Sequence, residues 1–448
     1  MDKDQQIDLL QGLIERARRA GADSADGVFI ESRSMSVAQR LGKPEAVERS
    51  EEQDVGFRVF VGKRQSVVST TDTKAGNLVE LVDRVIAMAR VAPEDQYAGL
   101  AEPGEIAQSI PEFDMFDSTE PPAERLIERA ATAEEAALGV KGVTNSEGGE
   151  AGWSASRVTL TASNGFTGSY QRSSHSVSAV VLAGEGQGME RDYDYSATVY
   201  ESDLEDAAVI GKSAGQRAVR RLNPRRPRSA TVPVVYDPRV SRSLIGHLAG
   251  GLNGSSIARG TSFLKDAMHS AIFSQGIEIL DDPHRARGLR TKPFDAEGIA
   301  TMRRAIIDDG HVRSWFLDLA TSRQLGQATT GHATRSPGGV PGPSPTNLFL
   351  SPGEASPSEL MADIQSGLYV TELMGMSVDM VTGDYSRGAG GFWIQNGEIT
   401  YPVSDVTIAG NLKDMFAALT PANDLVLRYG TDAPTVRVDG MTVAGPGN

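Results

Sequence analysis

The chain contains no cysteine. Disulfides, thiolate metal sites and cysteine nucleophiles are therefore excluded, and the absence fits a reducing cytoplasm. No stretch approaches the roughly eighteen uninterrupted apolar residues that a membrane span requires. The opening segment, residues 1–23, reads instead as an amphipathic helix with Ile7, Leu10, Leu13, Ile14 and Ala17 on one face, and not as a signal peptide. Positive charge is also in deficit. The 44 basic residues against 59 acidic ones leave a net charge of −15, which disfavours loose binding to nucleic acid or to an anionic membrane. No Gly-x-Ser-x-Gly elbow nominates a serine nucleophile. Arg387-Gly388-Ala389-Gly390-Gly391 lacks the Gly-Lys-Ser/Thr and the following helix of a phosphate loop.

What is present is a chain of 448 residues and 39% hydrophobic content, enough for two domains with sizeable cores. After the first helix, residues 27–31, 55–62 and 65–70 read as strands of an antiparallel meander with a turn at Gly62-Lys63. A helical stripe of Leu78, Leu81, Val82, Val85 and Ala89 then runs towards Pro93. Residues 97–122, rich in Pro, Glu and Asp, predict a surface loop, and residues 123–138 a long helix. Residues 158–162 and 165–171 form a hairpin about Ser163-Asn164-Gly165, with a further strand at 174–182. Residues 189–196 alternate charges and aromatics; they suit a polar strand, or a surface that binds substrate or partner. A helix over 203–222 ends in Leu222-Asn223-Pro224-Arg225-Arg226-Pro227-Arg228, a solvated linker. The expected division is 1–222, an α+β domain of helices layered on a sheet, a linker at 223–230, and a mostly β, Gly-rich domain at 231–448.

In the second half, strands are expected at 231–236, 271–273, 277–280, 298–302, 304–308, 315–318 and 347–350, with a short helix at 358–366. Residues 328–345, dense in Gly and Pro, predict irregular surface chain. Asp308-Asp309-Gly310-His311 and Asp281-Asp282-Pro283-His284 contain metal-capable side chains, but Asp, Gly and Pro have independent reasons to occupy turns. A Ser–His–Asp site assembled in space, or an independent aspartate hydrolase, stays open at this level.

The stretch 241–264, SRSLIGHLAGGLNGSSIARGTSFL, starts with Leu244, Ile245, Leu248 and Leu252 at helical intervals and dissolves into small residues before Phe263. Its Gly251-Leu252-Asn253-Gly254 and Gly260-Thr261-Ser262 resemble the TldD/PmbA family, one branch of which precedes them with the metallopeptidase motif HExxxH. Ser163-Asn164-Gly165-Phe166 and residues 189–196, 367–373, 384–394 and 401–412 are similar to the family as well. Counting back from Gly251 puts Ile245, Gly246 and Gly250 at the His, Glu and His of the motif. Ile and Gly offer zinc no donor and a water no base. His247 lies out of register and reads as a surface or core histidine.

The chain thus looks like the PmbA (TldE) branch. The resemblance implies a non-catalytic subunit, without a cofactor of its own, of a metallopeptidase whose TldD-like partner holds zinc and cleaves or trims peptides and unfolded polypeptides. It also implies that the catalytic branch completes its site with a cysteine. On this reading Ser255, Ser256, Ser262, Arg387, Gly390 and Gly391 are candidates for lining a peptide channel, and the chain can self-associate without its partner. The rival is a non-proteolytic interaction protein that modulates a gyrase or toxin–antitoxin system.

Overall fold

The computed structural model describes residues 1–375 and 377–445. Helix α1 (Lys3–Arg19) is opened by Asp2, whose carboxylate accepts the Gln5 N–H at 2.8 Å while the Gln5 side chain accepts the Asp2 N–H at 3.0 Å. Strands β1 (Ser24–Arg40), β2 (Lys43–Val61) and β3 (Arg64–Thr70) follow, then helices α2 (Ala75–Val91) and α3 (Ala123–Leu138), strands β4 (Val143–Ala162), β5 (Thr167–Ala183) and β6 (Glu190–Thr198), and helix α4 (Ala207–Arg220). The strands form one antiparallel sheet in the order β3-β2-β1-β4-β5-β6.

Because side chains alternate along a strand, Ala25, Phe29, Met35 and Val37 of β1 face the helices. Val28 faces the other way, with Leu160, Ala162 and Phe166 against Phe294 of the second half. Each of the larger apolar side chains buried here contributes on the order of 1.5–3 kcal/mol relative to leaving it exposed.

The second half begins with β7 (Ala230–Tyr236), α5 (Pro238–Gly251) and α6 (Gly254–Ala258), and continues through β8 (Ile279–Asp281), β9 (Arg304–Asp308), β10 (His311–Val312) and α7 (Leu319–Leu325). The short strands β11 (Ala333–Thr334), β12 (Gly342–Pro343) and β13 (Leu348–Leu350) lead to α8 (Pro357–Met361) and then to the long strands β14 (Ser366–Met374), β15 (Asp384–Gln395) and β16 (Glu398–Asn411). Helix α9 (Leu412–Ala417), β17 (Leu419–Pro421), β18 (Thr431–Asp432) and β19 (Val436–Ala444) close the chain. Strands run in the order β16-β15-β14-β7-β19, and β19 pairs back to β16, so the sheet closes on itself as a barrel. Helix α5 buries Leu244, Ile245 and Leu248, together with its C-cap Leu252, in the same core as Val234, Leu368, Val370 and Ile408 of that barrel. A smaller sheet, β10-β9-β8-β13-β18, packs into this core. The fold is α+β, with helices layered on a sheet followed by a strand-rich half.

Several local expectations are corrected. The strands expected at 165–171 and 174–182 are one strand, β5, and β4 extends back through a Gly/Ser run to Val143. Small residues are needed there because α3 lies directly on the sheet: a Cβ at Gly149 would collide with the Ala130 carbonyl. Residues 298–302 and 315–318 make only isolated bridges, and Asp318 caps α7. Of 271–273 only Ala271 bridges, to His311. The segment 328–345 is no simple surface loop, since His332 and Ala333 are buried. Its Arg335 donates to Asp26 at 2.6 Å, and Pro337 lies where a side chain on Gly56 would be. Asp309 and Gly310, both at positive φ, form the turn between β9 and β10.

A cationic cleft beside helix α5

Helix α5 starts with Asp237 as N-cap, its carboxylate accepting the Arg239 N–H at 3.0 Å and the Tyr369 hydroxyl at 2.9 Å, and with Pro238 in the first turn. The apolar spacing then turns Ile245 wholly into the core, while Gly246 is exposed and a Cβ on it would meet nothing within 4 Å. Gly250 is half-buried, and a Cβ on it would lie 3.2 Å from the Met380 methyl. The three positions that correspond to HExxxH of the family's other branch therefore do not share a face. Neither their chemistry nor their directions suit zinc. Among the described residues no three His, Cys, Asp or Glu side chains form a group able to hold a metal ion.

Gly246 opens onto a cleft of about 450 Å³ between the halves, walled by β6, the end of α4, α5, β14 and β15. Its charged lining is Arg191, Arg221, Arg239, Arg242 and Arg387 against Asp192 and Glu372. Arg239 donates to Asp192 at 2.8 Å and to the Tyr193 carbonyl at 3.1 Å; burial disfavours its cation, but Asp192 outweighs burial and holds the pKa above the usual value. Arg221 reaches Glu372 and lies 3.3 Å from Glu190, while Arg191 pairs with Glu147 at 2.6 Å. Both acids are thus engaged. Arg242 stacks 4.4 Å above the Tyr429 ring and donates to the Arg239 carbonyl, and the buried Arg387 donates from Nε to the Met374 carbonyl at 3.3 Å. Neither has a carboxylate partner among the described residues. Beside them, burial and the Arg387 cation push the His247 imidazole down to about 4, and burial raises the Tyr385 hydroxyl to about 12.

Of the residues expected to line a channel, only Arg387 reaches the cleft. Gly390 is buried, facing Arg221 and Glu372 from behind. Gly391 is buried where a Cβ would strike the Tyr369 carbonyl, so it lets β15 approach β14. Ser262 is buried and donates to the Gly251 carbonyl at 2.5 Å, while Ser255 and Ser256 sit in the first turn of α6, capped by Asn253. Those three serve the turn between helices. Arg221, Arg239 and Arg242 escape local reading because they lie on two elements, the end of α4 and helix α5, that only the fold brings together; besides Arg387, the polar segment 189–196, which supplies Arg191, Asp192 and Tyr193, signalled the site.

Elsewhere, the nitrogens of His332 are taken by Asp281 at 3.2 Å and the Thr330 hydroxyl at 2.8 Å, leaving none to activate a serine. Asp281, read from sequence as a turn residue, is a buried acceptor that also receives the Thr346 N–H at 2.7 Å. His284 stacks on Phe113 and contacts the Thr301 hydroxyl. No described helix is long and apolar enough to cross a membrane.

Comparison with known proteins agrees with this architecture. Three family models match: PmbA/TldA metallopeptidase domain 1 over residues 25–89, the central domain over 116–222 and the C-terminal domain over 229–445. The chain is 36% identical over 442 residues to metalloprotease PmbA of Escherichia coli O157:H7, covering 98% of this chain and 96% of that one. It is 23% identical over 278 residues to a metalloprotease TldD homolog of Haemophilus influenzae, 58% of each chain. Among solved structures, a proposed modulator of DNA gyrase from Bacteroides thetaiotaomicron superposes with TM-score 0.91 at 27% identity, covering 99% of this chain and all of that one. TldE of Thermococcus kodakarensis shares the fold with TM-score 0.88 at 19% identity, covering 98% and 100%. With all three family domains matched in order and likeness to PmbA running the length of both chains, this protein belongs to the PmbA/TldD family.

Proposed function

We propose that the chain is the PmbA/TldE-type subunit of a cytoplasmic two-subunit metallopeptidase that cleaves or trims peptides and unfolded polypeptides, with a TldD-like paralogue supplying zinc and the proton transfers. Helix α5 carries this reading. At the motif positions it presents one core side chain, Ile245, and two glycines, whereas a zinc hydrolase requires several nitrogen, sulfur or oxygen ligands and a base for the bound water. The likeness to PmbA and TldD chains alike supports pairing, since related subunits can meet through equivalent surfaces in a pseudo-symmetric way. This chain then holds no metal and forms one wall of a shared peptide chamber, with the cleft beside Gly246 facing the substrate. Without its partner it self-associates.

Co-expression with the TldD-like paralogue of the same genome tests the reading. The expected result is a co-purifying pair that cleaves an unstructured peptide in a chelator-sensitive manner, while this chain alone holds no stoichiometric zinc and cleaves nothing. Chains that separate as monomers at micromolar concentration overturn it, and chelator-resistant cleavage by this chain alone makes it an independent hydrolase. A pair without peptidase activity favours a non-proteolytic modulator.

A further inference from the structure

The cleft beside α5 runs against the charge of the whole chain. A molecule of net charge −15 concentrates Arg221, Arg239, Arg242 and Arg387 in one concavity, and its lining acids Asp192 and Glu372 are already bonded to Arg239 and Arg221. Two guanidinium groups, those of Arg242 and Arg387, remain without a carboxylate among the described residues. Arg387 is only 8% exposed, so its charge is shielded little by water and has been desolvated without a counter-ion. Two more polar atoms on the cleft wall are buried without hydrogen-bond partners. They are Nε of Arg239, whose side chain is 10% exposed and whose nearest carboxylate there is Asp237 at 3.7 Å, and the hydroxyl of Thr371. Uncompensated donors around a concavity of about 450 Å³, within the ordinary size range of ligand sites, call for an anion.

We propose that this cleft is a carboxylate-binding subsite, in which Arg242 and Arg387, flanked by Arg239, receive a carboxylate of a peptide. Guanidinium groups bind carboxylates through paired N–H donors, which gives direction as well as affinity. The choice of a peptide as bearer of the carboxylate rests on the proposed function above. Gly246 fits the same logic: the space beside it is open, and an acid placed at this position would sit among the arginines and compete with the ligand.

The test uses the purified full-length chain and fluorescence anisotropy of N-terminally labelled tetra-alanine, as free acid and as C-terminal amide. The free acid is expected to bind about tenfold or more tightly than the amide, an advantage that shrinks as salt is raised. An amidated peptide with one internal Asp reads the source of the carboxylate: recovered binding means that side chains are accepted, and absent binding means that the C-terminus is what the cleft recognises. Arg242→Gln and Arg387→Gln are each expected to erase the difference between acid and amide. Since Arg387 is buried and its loss can disturb the fold, Gly246→Glu is the decisive variant. Its side chain enters open space on an exposed helix face, where leaving glycine favours the helix. Gly246→Glu should weaken the free acid at least about tenfold, with the isosteric Gly246→Gln close to wild type. Equal behaviour of acid and amide, including no binding of either, overturns the inference, as does unchanged binding by Gly246→Glu. If pairing with the paralogue fails while acid and amide still differ, only the proposed function falls. If pairing holds and acid and amide behave alike, only the subsite falls.

Discussion

His247 illustrates how one side chain answers to elements far from it in sequence. It projects from α5 towards Tyr385, ring centroids 6.0 Å apart, its Nε2 has no hydrogen-bond partner, and burial with Arg387 nearby brings its pKa to about 4. The unfolded chain, with histidine near 6.5, takes up that proton first as the pH falls. The stability that the neutral imidazole allows is therefore fully present above pH 6.5 and is lost between about 6.5 and 4, at up to about 1.4 kcal/mol per pH unit. His175 acts in the same direction: burial depresses its pKa although Asp117 lies 3.3 Å away. Urea unfolding at pH 7 and pH 5 should show a smaller acid loss for His247→Gln than for the wild type. Equal losses would mean that the imidazole is hydrated in the folded state.

At the scale of the element, α5 is a helix whose pattern serves the barrel core before anything else. Ile245 and Gly250 are five residues apart, about 140° around a regular helix, and Ile245 is completely buried. Grafting Ile245→His, Gly246→Glu and Gly250→His should therefore yield weak, labile metal uptake at best. One imidazole would be held in an apolar core, and no cysteine exists to complete the ligand set. Chelator-sensitive cleavage of an unstructured peptide by the triple variant is expected to stay near background. Turnover comparable to that of a TldD-like metallopeptidase would show that three side chains were the only defect.

On the scale of the whole molecule, the halves are locked by buried charge. Asp26 is 2% exposed and receives both Arg58 and Arg335, each 3–4% exposed by side chain or residue. Burial opposes its ionisation, but the two guanidinium groups win and keep its pKa below the ordinary carboxylate value. Removing Asp26 as Asp26→Asn leaves two buried cations facing each other, at a cost of about 3–5 kcal/mol. Arg335→Met leaves a neutral Asp26–Arg58 pair and fills the space with apolar atoms, so it should cost clearly less. Chemical denaturation of both variants at pH 7 gives the order, and the reverse order would show that the bridge between the halves, rather than charge compensation, dominates.

Local periodicity and turn chemistry were enough to place most of the longer helices and segments of the first sheet. The stripe of α2, the whole span of α3, the β9–β10 turn at Asp309-Gly310 and the strands β3 and β7 are each written within a few neighbouring residues. So was the absence of donors at Ile245, Gly246 and Gly250, because side-chain chemistry needs no coordinates. The first part of β4 was hidden because its small residues are chosen by the helix lying on them, and the apolar runs at 298–302 and 315–318 misled because burial there comes without a ladder partner. The cleft was beyond local reading altogether. Arg221, Arg239, Arg242 and Arg387 belong to different elements or helix turns, and whether an arginine is neutralised depends on which carboxylates the folded chain brings within a few ångströms. Backbone preference is a property of neighbours in sequence, whereas uncompensated charge is a property of neighbours in space, and only the tertiary structure decides the second.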